Sequence, residues 1–198
     1  MKMKNSNWLL LIFIPVILCG CGSKLPVEMD LSNMHFKMIS QDSSGVSFPD
    51  YLRGNVAIIG LIYTNCPDVC PLITNNMQRI QKRLNKLGLI NVNFVSVSFD
   101  PGRDKPSVLK EFAELREINT EHWKFLTGRQ SDIDSLRRQL RFLAIAGDTT
   151  KTSSGKLDYS FVHTDRIYLM DKDLKVRKYY KGSIVNLDEI AKDVKILI

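Results

Sequence analysis

Apolar residues divide the first half of the chain into a strand, a helix and a second strand. Residues 56–63 (VAIIGLIY) are a continuous apolar run, which is typical of a strand buried on both faces of a sheet. Residues 73–87 then carry apolar side chains at helical spacing, with basic residues between them. Residues 92–99 (VNFVSVSF) predict the second strand, which ends at a turn-forming DPG sequence. This order predicts parallel strands joined by a crossover helix.

The flanking segments predict further alternation of helices and strands. Hairpins are predicted at residues 36–48 and at residues 166–170 with 176–180, and a short strand is predicted at 123–126. Helices are predicted after Pro106, around residues 133–143 and at 187–197. The inward-facing residues of the two middle helices are expected to be Leu109, Phe112, Leu115, Ile133, Leu136, Leu140 and Leu143. Residues 146–157 (AGDTTKTSSGKL) are polar and predict a flexible loop. The whole pattern predicts an α/β fold, a three-layer sandwich around a mixed sheet.

The N-terminal residues have the pattern of a targeting signal. Lys2 and Lys4 precede an apolar run at residues 8–18, which is too short to span a bilayer as a mature helix. The run ends in Leu-Cys-Gly-Cys, which resembles a bacterial lipobox and predicts cleavage before Cys21 and lipidation of its thiol. The alternative is an uncleaved signal anchor. Both place the folded body outside the cytoplasm, attached to a bacterial membrane.

Charge adds little to this interpretation. The formal net charge is +7, and loss of Lys2 and Lys4 with the leader would leave +5. A surplus of that size, without a run of lysine or arginine, does not indicate nucleic-acid binding. We expect a signal peptide at residues 1–20, a membrane-proximal linker at 21–35 and a monomeric domain at 36–198.

Two of the four cysteines carry the candidate chemistry. Cys19 would leave with the leader and Cys21 would carry lipid, so Cys66 and Cys70 remain in the body. If a helix begins near Pro67, both thiols face the same side, and the helix N-terminus favours thiolates. Two soft thiolates suit a cuprous ion, and the same pair can form a reversible disulfide. The alternative is a pair of inert, packed cysteines.

A metal held by two thiolates needs a third ligand, for which the chain offers three histidines. His122 is expected on a surface connection, and His35 is expected to be solvated at the end of the linker. His163 lies just before the predicted strand at residues 166–170. A strand, a cysteine motif and a helix in succession is the thioredoxin arrangement, in which the segment entering this later strand packs against the cysteines. His163 is therefore the predicted ligand.

Three sequence blocks resemble the Sco/SenC family, in order along the chain: TNCPDVCP, VSVSFDPGRDKPSVLKEF and SFVHTDRIYLMD. The resemblance covers roughly residues 36–198. It implies a thioredoxin-like fold with extra elements and a copper site made by Cys66, Cys70 and His163. It also implies a role in maturing the dinuclear copper centre of cytochrome c oxidase, with the copper-bearing oxidase subunit as partner.

Two functions remain open at this point. One is a copper metallochaperone that holds one Cu(I) or Cu(II) per chain. The other is a thiol–disulfide oxidoreductase that keeps the oxidase's copper-ligand cysteines reduced, so enzyme activity is undecided. His163 favours the first, because a reductase needs no imidazole ligand, and thioredoxins place a cis-proline at this position. A sensor or a peroxidase has no support beyond the site itself.

Overall fold

The computed structural model describes residues 25–151 and 157–198. The predicted signal peptide and Cys21 lie outside these ranges. The strands are β1 (Met29–Asp30), β2 (Phe36–Ser40), β3 (Gly45–Phe48), β4 (Val56–Ile62), β5 (Val92–Ser98), β6 (Trp123–Gly128), β7 (Ala144–Lys151), β8 (Leu157–His163), β9 (Arg166–Met170) and β10 (Lys175–Lys181). The helices are α1 (Val69–Lys86), α2 (Pro106–Glu114), α3 (Gln130–Gln139) and α4 (Leu187–Leu197).

Within the described ranges, eight strands form one mixed sheet in the order β1-β10-β9-β4-β5-β6-β2-β3. The central β4 pairs in parallel with β5 over its whole length, and β5 pairs in parallel with β6. On the other side β4 pairs antiparallel with β9, and β2 and β3 form the predicted N-terminal hairpin. Every residue of β4 is buried, as the apolar run predicts.

Helices cover both faces of this sheet. Gly60 in β4 lies directly under α1, where an added Cβ would meet Met77 Sδ at 2.7 Å. Tyr168 pairs with Ile59, the neighbour of Gly60, so its side chain points to the opposite face, because successive residues of a strand alternate. There its hydroxyl donates to the carbonyl oxygen of Leu140, just after α3, at 3.1 Å. The predicted α/β three-layer sandwich is confirmed.

Each helix of the described part is either too short or too polar to cross a membrane. Their apolar faces lie on the sheet instead. In α1 the buried residues include Ile73, Met77, Ile80 and Leu84, at the spacing expected of one helical face.

The predicted loop is wrong for residues 146–151 and for Leu157, which belong to strands, while residues 152–156 lie outside the described residues. Strands β7 and β8 pair antiparallel as a separate two-stranded sheet, here called the β7–β8 hairpin. Its register includes Ala144 opposite His163 and Ile145 opposite Val162. Residues 146–151 are polar and lack an alternating apolar face, so the sequence pattern does not indicate β7.

Two inward-facing leucines and the extent of the linker are also corrected. Leu115 is 74% exposed and Leu143 is 68% exposed, because α2 ends at Glu114 and α3 ends at Gln139, so both lie outside the helical register. The expected linker extended to residue 35. Instead Met29 pairs with Val176 of β10, and Leu31 is fully buried, since the edge of the sheet offers backbone partners there.

Candidate metal centre

The cysteine turn joins the end of β4 to the start of α1. The helix begins at Val69, two residues later than the expected start near Pro67, and Asp68 occupies its N-cap position without a capping hydrogen bond from its side chain. Asp68 is exposed. Cys66 therefore lies in the turn, and Cys70 lies in the first turn of the helix. Cys66 is 9% exposed and Cys70 is fully buried.

Backbone N–H groups hold both sulfur atoms. The N–H of Tyr63 donates to Cys70 Sγ, and the N–H of Cys70 donates to Cys66 Sγ, each at 3.4 Å. The hydrogen bond from the Cys70 thiol lowers the pKa of Cys66 to about 4, with a further contribution from the Cys70 N–H. Burial raises the pKa of Cys70 well above its usual range. Cys66 is thus the thiolate of the pair at neutral pH.

His163 ends β8 and points at the two cysteines. Its Nε2 lies 3.4 Å from Cys70 Sγ and 4.0 Å from Cys66 Sγ. Its Nδ1 lies 3.0 Å from the carbonyl oxygen of Thr164. A carbonyl oxygen can only accept, so Nδ1 carries the proton and the lone pair of Nε2 faces the sulfurs. This is the tautomer that a metal-ligating histidine requires.

Aromatic side chains set the orientation of the imidazole. The ring of His163 stacks on Phe142, with centroids 5.8 Å apart, and lies 5.1 Å from Phe99. Tyr63 meets it edge-on at 6.1 Å. The outer side opens into a cleft, which is lined by residues of the cysteine turn and of β8: Tyr63, Cys66, Pro67, Asp68, Val69, Ser160, Phe161, Val162 and His163.

The three ligand atoms suit a single copper ion. Among the described residues, Cys66, Cys70 and His163 form a cluster whose ligand atoms all lie within 4.8 Å of one another. Three ligands at bond lengths of roughly 2.2 Å around one ion would be about 3.8 Å apart in a trigonal plane, close to the observed sulfur–nitrogen distances. Two thiolates favour soft Cu(I), and the imidazole also suits Cu(II).

The other two histidines stay away from this cluster. His35 is solvated, with its side chain 66% exposed and its Nδ1 2.7 Å from Asp50 Oδ2. His122 is exposed in the turn before β6. The structure therefore brings together the three predicted ligands.

Sequence reasoning missed the residues that support His163. Tyr159, Phe161 and His163 alternate along β8 and share one face. Phe161 packs edge-on against Tyr63, and its N–H donates to the Tyr63 hydroxyl oxygen at 3.3 Å. The alternation of aromatic residues before His163 is the signal that could have identified them.

The fold and the site together define a thioredoxin-like protein with a candidate Cys₂His metal site. The model of the family described as SCO1/SenC matches residues 27–198. The chain belongs to the SCO1/SenC family.

Solved structures of that family resemble this one over most of its length. A SCO1/SenC family lipoprotein from Bacillus anthracis str. Ames is 34% identical with a TM-score of 0.72, covering 87% of this chain and 96% of that one. Bradyrhizobium japonicum ScoI with copper bound is 28% identical with a TM-score of 0.70, covering 83% of this chain and 98% of that one. BsSco is described as a member of the Sco family of cytochrome c oxidase assembly proteins with a disulfide switch. It is 31% identical with a TM-score of 0.70, covering 88% of this chain and 97% of that one.

Proposed function

We propose that this protein binds one copper ion through Cys66, Cys70 and His163 and delivers it during assembly of cytochrome c oxidase. The observation that carries the proposal is the convergence of two sulfurs and one unprotonated ring nitrogen within 4.8 Å. The copper-bound ScoI structure and the oxidase-assembly description of BsSco support it. The acceptor is the copper-bearing subunit of the oxidase, at its dinuclear copper centre.

The proposal includes attachment of the protein to the outer face of a bacterial membrane through Cys21. The lipobox-like sequence supports it, as does the description of the Bacillus anthracis relative as a lipoprotein. Replacement of Cys21 by alanine should release the protein from membranes or stall its processing. Unchanged membrane retention, together with an unchanged mass of the mature form, would refute lipidation at this residue.

Copper binding is tested by titration of the purified protein with Cu(I) and with Cu(II), followed by metal analysis. We expect one ion per chain in each state. Electron paramagnetic resonance of the Cu(II) form should show coupling to one nitrogen. Transfer is tested with the copper-free soluble domain of the oxidase subunit as acceptor: copper should move to it, and a protein that retains its copper would not be a donor.

A thiol–disulfide oxidoreductase that reduces the ligand cysteines of the oxidase subunit is the second candidate. The lowered pKa of Cys66 beside a buried second thiol favours it, because the thiolate is the attacking species in disulfide exchange. The two functions separate at His163. Substitution by alanine would leave the reduction of a disulfide-bonded acceptor intact while weakening Cu(II) binding.

A further inference from the structure

A buried charged loop follows β5, beside the metal centre. Residues 100–104 (DPGRD, here the DPGRD loop) fold on themselves: the N–H of Asp104 donates to the carbonyl oxygen of Asp100 at 2.9 Å. Asp104 is fully buried, Asp100 is 5% exposed, and the Arg103 side chain is 16% exposed. Charged groups lose solvation when buried, so the partners that hold each of them indicate what the loop does.

Asp104 holds the cysteine turn. Its carboxylate accepts from the N–H of Thr64 at 3.1 Å, from the Thr64 hydroxyl at 2.6 Å and from the Ser98 hydroxyl at 2.5 Å. Thr64 lies between Tyr63, whose N–H donates to Cys70 Sγ, and the turn that carries Cys66. A displacement of Thr64 would therefore move the groups that orient both sulfurs.

Asp100 and Arg103 hold the β7–β8 hairpin. The hydroxyl of Tyr159 donates to Asp100 Oδ1 at 3.0 Å, and Arg103 Nη1 donates to the carbonyl oxygen of Tyr159 at 2.9 Å. The guanidinium lies 3.7 Å from the centroid of the Tyr159 ring and also donates to the Asp100 carboxylate. Tyr159 and His163 lie on the same strand, so Tyr159 anchors the segment that presents the imidazole.

We propose that the DPGRD loop is the positioning element of the metal centre and sets the separation between the two thiols and the imidazole. Its side chains touch none of the three ligand atoms. Asp104 acts on the thiol side through Thr64, and Asp100 with Arg103 acts on the imidazole side through Tyr159. The inference rests on the proposed copper binding and adds that different residues of one loop position the thiols and the imidazole.

Two conservative substitutions test the imidazole side. Tyr159→Phe removes one hydrogen bond and keeps the ring, and Arg103→Lys keeps the charge and loses the forked contacts. Each should weaken Cu(II) binding about tenfold, as loss of a supporting group around a metal ligand commonly does, and should reduce nitrogen coupling. Cu(I) affinity should change less than about twofold, because the thiols dominate it.

Asp104→Asn tests the thiol side and should give a different pattern. The amide replaces one acceptor oxygen by a donor, so a single oxygen remains for the N–H and hydroxyl of Thr64 and the hydroxyl of Ser98. Both copper affinities should fall about tenfold, because both states use the thiolates, while the Cu(II) form keeps its nitrogen coupling. A variant that merely loosened the fold would reduce the nitrogen coupling as well.

Arg177→Lys is the matched control. Arg177 donates through Nε to Asp171 and through Nη1 to the carbonyl oxygen of Leu25 at 2.8 Å, and the two side chains are 17% and 7% exposed. The pair resembles Arg103–Asp100 but lies beyond the opposite end of β4, about 20 Å along the strand. Arg177→Lys should lose about as much thermal stability as Arg103→Lys and leave both copper affinities unchanged.

Amide hydrogen exchange of the metal-free protein gives a readout that does not depend on copper. Tyr159→Phe should speed exchange at Phe161 in the hairpin and at Thr164 directly after it, and leave β9 unchanged. Equal weakening of both copper states in Tyr159→Phe and Arg103→Lys, or hairpin exchange in Tyr159→Phe identical to wild type, would overturn the inference. If wild type binds no copper, the proposed function fails, and the exchange result alone decides the role of the loop.

Discussion

The thiols and the imidazole of this site come from two regions that are built differently. Cys66 lies in the turn between β4, all of whose residues are buried, and the long helix α1, and Cys70 lies in the first turn of that helix. His163 lies on a two-stranded hairpin outside the main sheet, whose outer face leaves Ile145 64% exposed and Val162 76% exposed. One half of the site is thus part of the core, whereas the other half depends on a few side-chain contacts. Loss of a thiol and loss of the imidazole should therefore have different consequences.

The largest effect is expected at the core side. Cys70→Ser removes a soft, buried ligand that no nearby side chain can replace, so both copper states should bind more than about a hundredfold more weakly, beyond what loss of a supporting residue costs. Competitive titration with chelators of known affinity measures both. Retention of Cu(I) affinity in this variant would show that Cys70 is not a ligand.

A smaller, selective effect is expected at the hairpin side. His163→Ala should weaken Cu(II) about tenfold to a hundredfold and abolish nitrogen coupling, while Cu(I) changes much less because the thiolates remain. His35→Ala and His122→Ala are the controls and should behave as wild type. Persistent nitrogen coupling in His163→Ala would assign the ligand to another histidine, and the hairpin would then not supply part of the copper site.

The two cysteines should also differ in reactivity. With a pKa of about 4, Cys66 stays a thiolate across the neutral range, and its reactivity is lost only as the pH falls towards that value. Its alkylation by iodoacetamide should be nearly constant between about pH 6 and about pH 8, whereas an ordinary thiol slows about tenfold per unit below its pKa. Mass spectrometry should find the label on Cys66 and little on buried Cys70. Strong pH dependence in this range would contradict the lowered pKa.

The smallest effects concern stability. Gly60→Ala places a methyl group 2.7 Å from Met77 Sδ and 3.3 Å from Ile73 Cγ2, and overpacking of this kind costs about 1–3 kcal/mol. Ile145→Ala on the exposed face of the hairpin should change stability by less than about 0.5 kcal/mol. Chemical denaturation of both variants and of wild type gives the change in the free energy of unfolding for each. A larger loss for Ile145→Ala would mean that the hairpin contributes to the core.

The sequence predicts the core side well because each of its elements has a strong local pattern. The apolar run of β4 and the periodic face of α1 bracket the cysteines, so their placement follows from the strand–helix order alone. The β7–β8 hairpin has only the short alternation of Tyr159, Phe161 and His163 in β8. Its strands are defined by pairing with each other and by contacts of Tyr159 and Phe161 with distant segments. His163 was nevertheless predicted, because the resemblance and the position before β9 both point to it.

The roles within the DPGRD loop lay beyond sequence reasoning for a different reason. A turn after a strand predicts polar residues, and Arg103 and Asp104 fit that expectation without further meaning. Their partners, Tyr159 and Thr64, are 56 and 40 residues away along the chain, and only the folded arrangement brings them together.

The pairing of β1 with β10 has a consequence for encounters at the membrane. Met29 is held in the sheet, and Arg177 holds the carbonyl oxygen of Leu25, so four peptide units separate Cys21 from the folded body. Fully extended, they span about 14 Å. With Cys21 acylated, this short tether would confine the domain to a thin layer above the bilayer. Confinement to that layer would hold the copper site at the height of a membrane-embedded acceptor, so that lateral diffusion in the membrane would set how often the two meet.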